Sequence, residues 1–206
     1  MDNPLFESGF LWILAAGLAY GVIHSILASH QAKALARQWL GHYGDRYYRL
    51  FFNGMAVIML LPVMALVPLL PDWQFYAIAT PFVLLTSVLQ AGAVFGLLWS
   101  VWQTGALDFL GIRQLFGQHA DETQARLVKS GLYRYVRHPI YFFGLVFMWL
   151  SPVMSWNLLA LYVSFSAYLL IGTVFEERKL LEEFGPEYAE YRSKTPMILP
   201  GTVKRY

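Results

Sequence analysis

The chain has 206 residues, of which 57% are hydrophobic and only 14% are charged. Soluble domains carry about 25% charged residues, so this composition excludes an ordinary soluble domain and predicts an all-α, polytopic integral membrane protein. The formal net charge of +2 excludes little, but the absence of cysteine excludes disulfides, thiolate metal sites and a cysteine nucleophile. The length predicts a single membrane domain over residues 1–206.

The N-terminal half, residues 1–103, is predicted to contain three spans. The first apolar run, residues 10–28, is long enough at ~1.5 Å per residue to cross a ~30 Å hydrocarbon core. It lacks a basic leader and a small-residue cleavage motif, so we expect a retained span rather than a removed signal. A short amphipathic helix over residues 31–40 is predicted to lie at the interface, ahead of spans near 50–70 and 75–102.

The C-terminal half, residues 104–206, combines a polar connector with a predicted helical hairpin. Apolar runs near 139–154 and 158–175 form the two arms, and the first arm is short for a crossing. A tight turn is expected between them, around Ser151-Pro152 and residues 155–157. A helical continuation follows to Phe184, where Gly185-Pro186 predicts a stop and a new start.

The distribution of charge predicts the topology. All fifteen lysine and arginine residues fall in the first loop, the third loop or the C-terminal tail of a five-span arrangement. The opposite side carries only Asp2, Glu7 and Asp72. The positive-inside rule therefore places the N-terminus outside and the C-terminus in the cytoplasm.

The stretch from Arg134 to Tyr141 is the first candidate site. Pro139 can begin a helix, and it disfavours helical geometry at His138. Free N–H groups at that helix start, beside Arg134, Arg137 and His138, predict a site for a carboxylate or phosphate. The same residues are also typical of a membrane anchor with snorkelling arginines and interfacial tyrosines, and the pattern leaves both interpretations open.

Glu176 and Glu177 form the second candidate, at the point where the last span leaves the membrane. A hairpin returns them to the side of His138, so positive and negative groups can be neighbours, which suits a mixed-charge ligand. The alternative is a solvated interfacial turn in which Glu176 pairs with Lys179 at helical spacing.

His24, near the cytoplasmic end of the first span, is a weaker candidate. Ionisable groups inside a membrane are functional by default, although a lone histidine can simply bond to a neighbouring helix. His24 and His30 are six residues apart and do not share a helical face, so we expect no metal site there. No phosphate loop, dinucleotide fingerprint or serine–histidine triad is visible in the sequence.

Two motifs resemble those of the membrane-embedded isoprenylcysteine carboxyl methyltransferase and phospholipid methyltransferase group. The first is GLYRYVRHPIY at residues 131–141, and the second is EERKL at 176–180, followed by FGPEYAEY at 184–191 and Pro196. The resemblance implies S-adenosylmethionine, bound between the two motifs on the cytoplasmic side. The implied cofactor-binding residues are Leu132, Tyr133, Tyr135, His138, Tyr141, Glu176 and Glu177.

Within this group, three further segments are similar to the small-thiol branch, methanethiol S-methyltransferase, and to NnrU-type proteins. They lie at residues 109–114, 151–155 and 196–200, and residues 24–29 are also NnrU-like. The resemblance therefore implies transfer of a methyl group to a small or hydrophobic nucleophile, most readily a thiol.

Methyl transfer is an in-line displacement at a carbon that the sulfonium already activates, so alignment and exclusion of water are the main demands on the protein. Arg137, His24 and Arg113 are the candidate catalytic residues, for orienting the substrate or stabilising an anionic nucleophile. Expected partners are a small-molecule or lipid-soluble methyl acceptor and membrane lipids, with no nucleic acid. The expected location is the bacterial inner membrane, and the oligomeric state stays open.

Two other interpretations stay open at this point. One is a lipid amine or carboxyl methyltransferase on the same fold. The other belongs to a different class: an NnrU-like, non-enzymatic or haem-associated accessory protein that uses His24 and His138 as ligands.

Overall fold

A computed structural model of the chain describes residues 4–106, 112 and 127–201, and these residues are predominantly helical. The all-α prediction is confirmed. In chain order the helices and strands are α1 (Pro4–Glu7), α2 (Phe10–Leu27), α3 (His30–Leu40), α4 (His42–Leu69), β1 (Gln74–Ala77), α5 (Phe82–Gln103), a 3₁₀ turn (Gly131–Arg134), α6 (Pro139–Trp149), β2 (Val153–Ser155) and α7 (Trp156–Lys194).

Among the described residues, α2, α5, α7 and the Arg46–Leu69 part of α4 are long and apolar enough to cross a membrane. The spanning part of α7 ends at Phe175, because residues 176–194 contain ten charged side chains that belong in water. The eleven residues of α6 cover only about 16 Å, less than a ~30 Å hydrocarbon core. The predicted crossing near residues 139–154, and with it the count of five spans, stays a prediction.

The third predicted span begins later than expected. Residues 74–77 do not start a helix but form β1, which pairs antiparallel with β2 and places Gln74 opposite Ser155. The prediction of a helix from residue 75 is wrong over this stretch because Pro81 disfavours helical geometry just before it and caps α5 instead. The tight turn expected over residues 155–157 is likewise replaced by the end of β2 and the first residues of α7.

Helix α3 matches the short helix predicted over residues 31–40. The Ser29 hydroxyl accepts a hydrogen bond from the Ala32 N–H and caps its N-terminus. Gly41 ends it with a positive φ of 57°, a conformation that glycine adopts without steric cost. Its large apolar side chains, Leu35, Trp39 and Leu40, stay exposed.

The described residues divide into two compact units, the first made of residues 4–77 and 153–168. Its core contains Ile13, Tyr20 and Leu161. Gly17 on α2 lies directly against Ser164 of α7, so the two helices approach closely at this point. The prediction of one membrane domain over the whole chain stays a prediction.

A buried asparagine of α7 caps the C-terminus of α4 within this first unit. The Asn157 side-chain amide donates to the carbonyls of Val67, Leu70 and Pro71, at 3.1, 3.2 and 3.1 Å. These carbonyls belong to the last turn of α4 and the residues after it, where helical partners are missing. Asn157 therefore satisfies the α4 terminus from the start of α7.

The second unit contains residues 78–106, 127–152 and 169–201. In it α5 and α6 run antiparallel, because Gln90 Nε2 donates to the Phe147 carbonyl at 2.8 Å and Gly96 lies beneath the Phe143 ring. The path of α7 breaks at Gly185, whose φ of 52° and ψ of −127° are not helical. The predicted stop and restart at Gly185-Pro186 is confirmed.

Candidate functional site

The 3₁₀ turn Gly131–Arg134 leads into the first candidate motif and is fixed to the end of α5. The Leu132 N–H donates to Gln103 Oε1 at 3.2 Å. Gly131 has a φ of 61°, and a side chain there would collide with the Gln103 amide. The turn buries Tyr133 and leaves Tyr135 exposed. Its backbone is therefore set by one side chain of α5 and by a glycine.

Arg137 and Glu177 form a buried, bidentate ion pair. Arg137 Nε lies 2.8 Å from Glu177 Oε1, and Arg137 Nη2 lies 2.9 Å from Glu177 Oε2. The remaining terminal nitrogen donates to the carbonyls of Arg192 and Thr195. Both charged side chains are only 7% exposed. Burying two charges is tolerated when their hydrogen-bonding groups find partners, as those of Arg137 do here.

His138 lies between the two glutamates. Its Nε2 is 2.9 Å from Glu177 Oε1, and its Nδ1 is 3.6 Å from Glu176 Oε2. The imidazole stacks on the Tyr141 ring with 5.4 Å between centroids and 4° between planes. The Tyr141 hydroxyl donates to Glu176 Oε2 at 2.6 Å, so one aromatic pair contacts both carboxylates.

Glu177 is held as a carboxylate. Burial raises its pKa, but hydrogen bonds from His138, Arg137 and Tyr188 outweigh burial and bring the pKa of Glu177 to about 2. The Tyr188 hydroxyl donates to Glu177 Oε1 at 2.5 Å. Burial and this carboxylate raise the pKa of Tyr188, so the tyrosine stays a donor at neutral pH.

The two neighbouring glutamates have different surroundings. Glu177 faces Arg137, His138 and Tyr188 inside the protein, whereas the Glu176 side chain is 44% exposed. The hydrogen bond from Tyr141 fixes the Glu176 carboxylate at the surface of the cluster. Of the two, Glu176 is the group that can meet an external cation.

Several donors of the predicted anion site bind acceptors within the protein. The N–H groups of Arg137 and His138 donate to the carbonyls of Pro196 and Met197, at 2.9 and 3.0 Å. The Arg137 charge is matched by Glu177, as described above. Arg134 remains at the surface, with its guanidinium 5.8 Å from the centroid of the Tyr135 ring.

The second unit brings together seven of the ten predicted site residues: Leu132, Tyr133, Arg137, His138, Tyr141, Glu176 and Glu177. His24 belongs to the first unit, where its ring lies 4.6 Å from Phe52 and 5.6 Å from both Tyr20 and Tyr168. Arg113 lies outside the described residues. Tyr135 is close in sequence but points to the surface. The roles assigned to all ten residues stay predictions.

Sequence reasoning did not assign Gln103, Tyr188 or Tyr191 to the site. Tyr188 contacts Glu177, and the Tyr191 hydroxyl donates to the Tyr133 carbonyl at 2.5 Å. Their three-residue spacing after a predicted helix restart places both on one helical face, which indicates that both face the same side of the protein. Gln103 gives no such signal, because its partner is a backbone N–H 29 residues away.

Comparison with known proteins places this cluster in a family. A family model described as phospholipid methyltransferase matches residues 82–187, which is 106 of the 206 residues and includes Arg137, His138, Tyr141, Glu176 and Glu177. The chain belongs to the phospholipid methyltransferase family. The expected membrane methyltransferase group is therefore confirmed.

Several curated proteins are similar to the chain. Methanethiol S-methyltransferase 2 of Bradyrhizobium diazoefficiens is 34% identical over 68% of this chain and 58% of its own length. Methanethiol S-methyltransferase of Mycobacterium tuberculosis is 30% identical over 82% of this chain and 72% of its own length. A protein-S-isoprenylcysteine O-methyltransferase of Schizosaccharomyces pombe is 32% identical over 50% of this chain and 51% of its own length. No solved structure matches the chain.

Proposed function

We propose that the chain is an S-adenosylmethionine-dependent membrane methyltransferase whose acceptor is a small thiol. The observation that carries this proposal is that the family match contains the whole cluster formed by Arg137, His138, Tyr141, Glu176 and Glu177. The relatives named methanethiol S-methyltransferase support the thiol as acceptor.

The chemistry of the donor set fits this cofactor. S-adenosylmethionine carries an ammonium, a sulfonium and a carboxylate, so it needs an anionic group and a cationic or N–H group at its site. Glu176 offers a fixed, accessible carboxylate beside the stacked His138 and Tyr141 rings. Arg134, in the same motif as His138 and Tyr141, offers an exposed cation. We propose Glu176 as the contact for the cationic end, with Leu132, Tyr133 and Tyr135 contributing around it.

When bound, S-adenosylmethionine supplies a methyl group on a positively charged sulfur, which is already activated for displacement. The residues of this chain have to align the acceptor and exclude water. Arg137 is enclosed by Glu177 and by two backbone carbonyls, so we assign it an indirect role: it fixes the Glu177 carboxylate and the end of α7. His24 and Arg113 are kept as proposed acceptor-orienting residues.

A lipid amine or carboxyl group is the second candidate acceptor. The family model is described as phospholipid methyltransferase, and the Schizosaccharomyces pombe relative is named protein-S-isoprenylcysteine O-methyltransferase. The cofactor half of the site is the same in both proposals. A haem-associated role has less support, since both ring nitrogens of His138 face carboxylates within the protein.

The full chain in lipid nanodiscs, supplied with methyl-labelled S-adenosylmethionine, tests the proposal. We expect labelled product with methanethiol and short alkyl thiols, and little with phosphatidylethanolamine or a prenylated cysteine. Transfer only to the lipid or the prenylcysteine would replace the thiol by the second candidate. Failure to bind S-adenosylmethionine, together with a Soret band in the visible spectrum, would refute the enzyme and favour the accessory protein.

A further inference from the structure

The residues beyond the kink at Gly185 cover the candidate site. We call residues 186–198 the C-terminal segment. It contains the second part of α7 and the turn that follows, and one side of it is buried: Tyr188 is 1% exposed and Ile198 5%. Since Gly185 has a positive φ, the chain reverses there without steric cost and directs this segment back along α7.

Two tyrosine hydroxyls connect the C-terminal segment to separate parts of the site. The Tyr188 hydroxyl donates to Glu177 Oε1 at 2.5 Å, and the Tyr191 hydroxyl donates to the carbonyl of Tyr133 at 2.5 Å. The first bond orients the carboxylate that holds Arg137 and His138. The second fixes the backbone of the 3₁₀ turn, which is the other half of the predicted cofactor site.

The backbone of the C-terminal segment adds a second layer of contacts. The carbonyls of Pro196 and Met197 accept hydrogen bonds from the N–H groups of Arg137 and His138. The carbonyl of Thr195 accepts from the Arg137 guanidinium. The last carbonyls of a helix lack partners within it, so Arg137 both pairs with Glu177 and caps α7. The C-terminal segment and residues 137–138 therefore fix each other's conformation.

We infer that Tyr188 and Tyr191 are positioning residues for the methyl donor: their hydroxyls hold Glu177 and the Gly131–Arg134 turn in the arrangement that receives it. This inference rests on the proposed function. Phenylalanine would fill the same space as either tyrosine, so a role in packing alone does not require the hydroxyl. The hydroxyls act through Glu177 and Tyr133, whereas Glu176 and Tyr141 lie nearer the surface and are proposed to touch the donor.

The test compares Tyr188→Phe and Tyr191→Phe with the wild type, using the full chain in nanodiscs. Calorimetry gives the dissociation constant of S-adenosylhomocysteine, and initial rates give KM for the donor and for the thiol separately. We expect each variant to weaken binding about tenfold, the effect of losing one strong hydrogen bond, and to raise KM for the donor but not for the thiol.

Glu190→Gln is the matched control. Glu190 lies on the same helical piece and pairs with Lys194 at 2.5 Å, but both side chains are exposed, so this variant should bind as the wild type does. If wild-type protein fails to bind S-adenosylhomocysteine, the proposed function fails.

The inference alone fails if the wild type binds and both phenylalanine variants bind equally well. It fails too if KM rises equally for donor and thiol, because that result indicates general loosening. Since the two hydroxyls have different partners, Tyr191→Phe keeps the test decisive if Tyr188→Phe does not fold.

Discussion

Glu176 and Glu177 are adjacent in sequence, and their side chains have opposite surroundings. Glu177 accepts hydrogen bonds from Arg137, His138 and Tyr188 in the interior, while Glu176 has a half-exposed carboxylate fixed by Tyr141. The first therefore organises the site and the second is presented to a ligand. A pair of identical residues can divide these roles because successive side chains of a helix point in directions about 100° apart.

Glu176→Gln should weaken donor binding at least tenfold while leaving the unfolding temperature of the donor-free protein close to that of the wild type. The substitution removes an accessible charge but keeps an acceptor for the Tyr141 hydroxyl. Calorimetry with S-adenosylhomocysteine and a thermal unfolding scan in the same nanodiscs measure both quantities. Wild-type affinity in this variant would remove Glu176 from the cofactor site.

Glu177→Gln should instead destabilise the protein before any donor is added. It leaves the guanidinium of Arg137 buried without its counter-charge, a change that costs about 3–5 kcal/mol. We expect a clear fall in the unfolding temperature and lost activity. An unchanged unfolding temperature would show that the ion pair does not hold the second unit together. Glu190→Gln, an exposed position on the same helix, is the control for charge loss alone.

The pKa of Glu177 predicts acid sensitivity. Its folded pKa of about 2 lies below the ordinary value of 4.5, so the unfolded state binds more protons between these values. The contribution of Glu177 to stability is therefore complete above about pH 4.5 and is lost as the pH falls toward 2. Arg137, His138, Tyr188 and Arg192 are the charged or titratable groups that face it.

Unfolding by denaturant at a series of pH values checks this. The wild type should lose more stability between pH 5 and about pH 3 than Glu177→Gln does, since glutamine does not titrate. Parallel pH curves for the two proteins would assign the acid sensitivity to other carboxylates.

At the scale of helices, glycine contacts set how closely α2 and α7 approach within the first unit. A Cβ at Gly17 would overlap Ser164, whereas a Cβ at Gly54 of α4 would meet nothing within 4 Å. Gly17→Ala should therefore lower the unfolding temperature, and Gly54→Ala should leave it equal or raise it, because alanine is the better helix former by about 1 kcal/mol. Equal effects of the two substitutions would show that the α2–α7 contact relaxes freely.

The helices were largely predictable because their apolar runs and breakers are long and regular. Residues 31–40, the stop at Gly185-Pro186 and the helix start at Pro139 all followed from local chemistry. The β1–β2 pair was missed because two short strands stabilise each other across a gap of 75 residues, from Ala77 to Val153, and neither has a long alternating pattern.

That the two motifs lie near each other was predictable, but the contacts between their side chains were not. Two motifs at the mouth of a hairpin indicated that His138 and Glu177 meet. Periodicity could not tell which glutamate is buried, nor that Arg137 binds carbonyls beyond residue 190. These contacts depend on the reversal at Gly185, which sets distances between residues far apart in sequence.

For the whole molecule, the membrane topology can be tested by labelling single introduced cysteines, because the chain has no cysteine of its own. We propose that the N-terminus faces outside the bacterial inner membrane and that the candidate site and C-terminus face the cytoplasm, because the basic residues cluster in the segments assigned to that side. Every introduced cysteine is a unique label site. Glu7→Cys and Asp72→Cys test the outer side, and Arg37→Cys and Ser193→Cys test the cytoplasmic side.

In intact cells a membrane-impermeant maleimide should label the cysteines at positions 7 and 72 and not those at 37 and 193. Opening the cells should allow labelling at 37 and 193, and this serves as the control for reactivity. The reverse labelling pattern would show that the orientation in the membrane is opposite to the one proposed. Labelling of 7 and 193 from the same side would require an even number of crossings, which would mean that the segment around the short helix α6 enters the membrane without traversing it. The experiment therefore tests both the orientation and the crossing that α6 alone is too short to make.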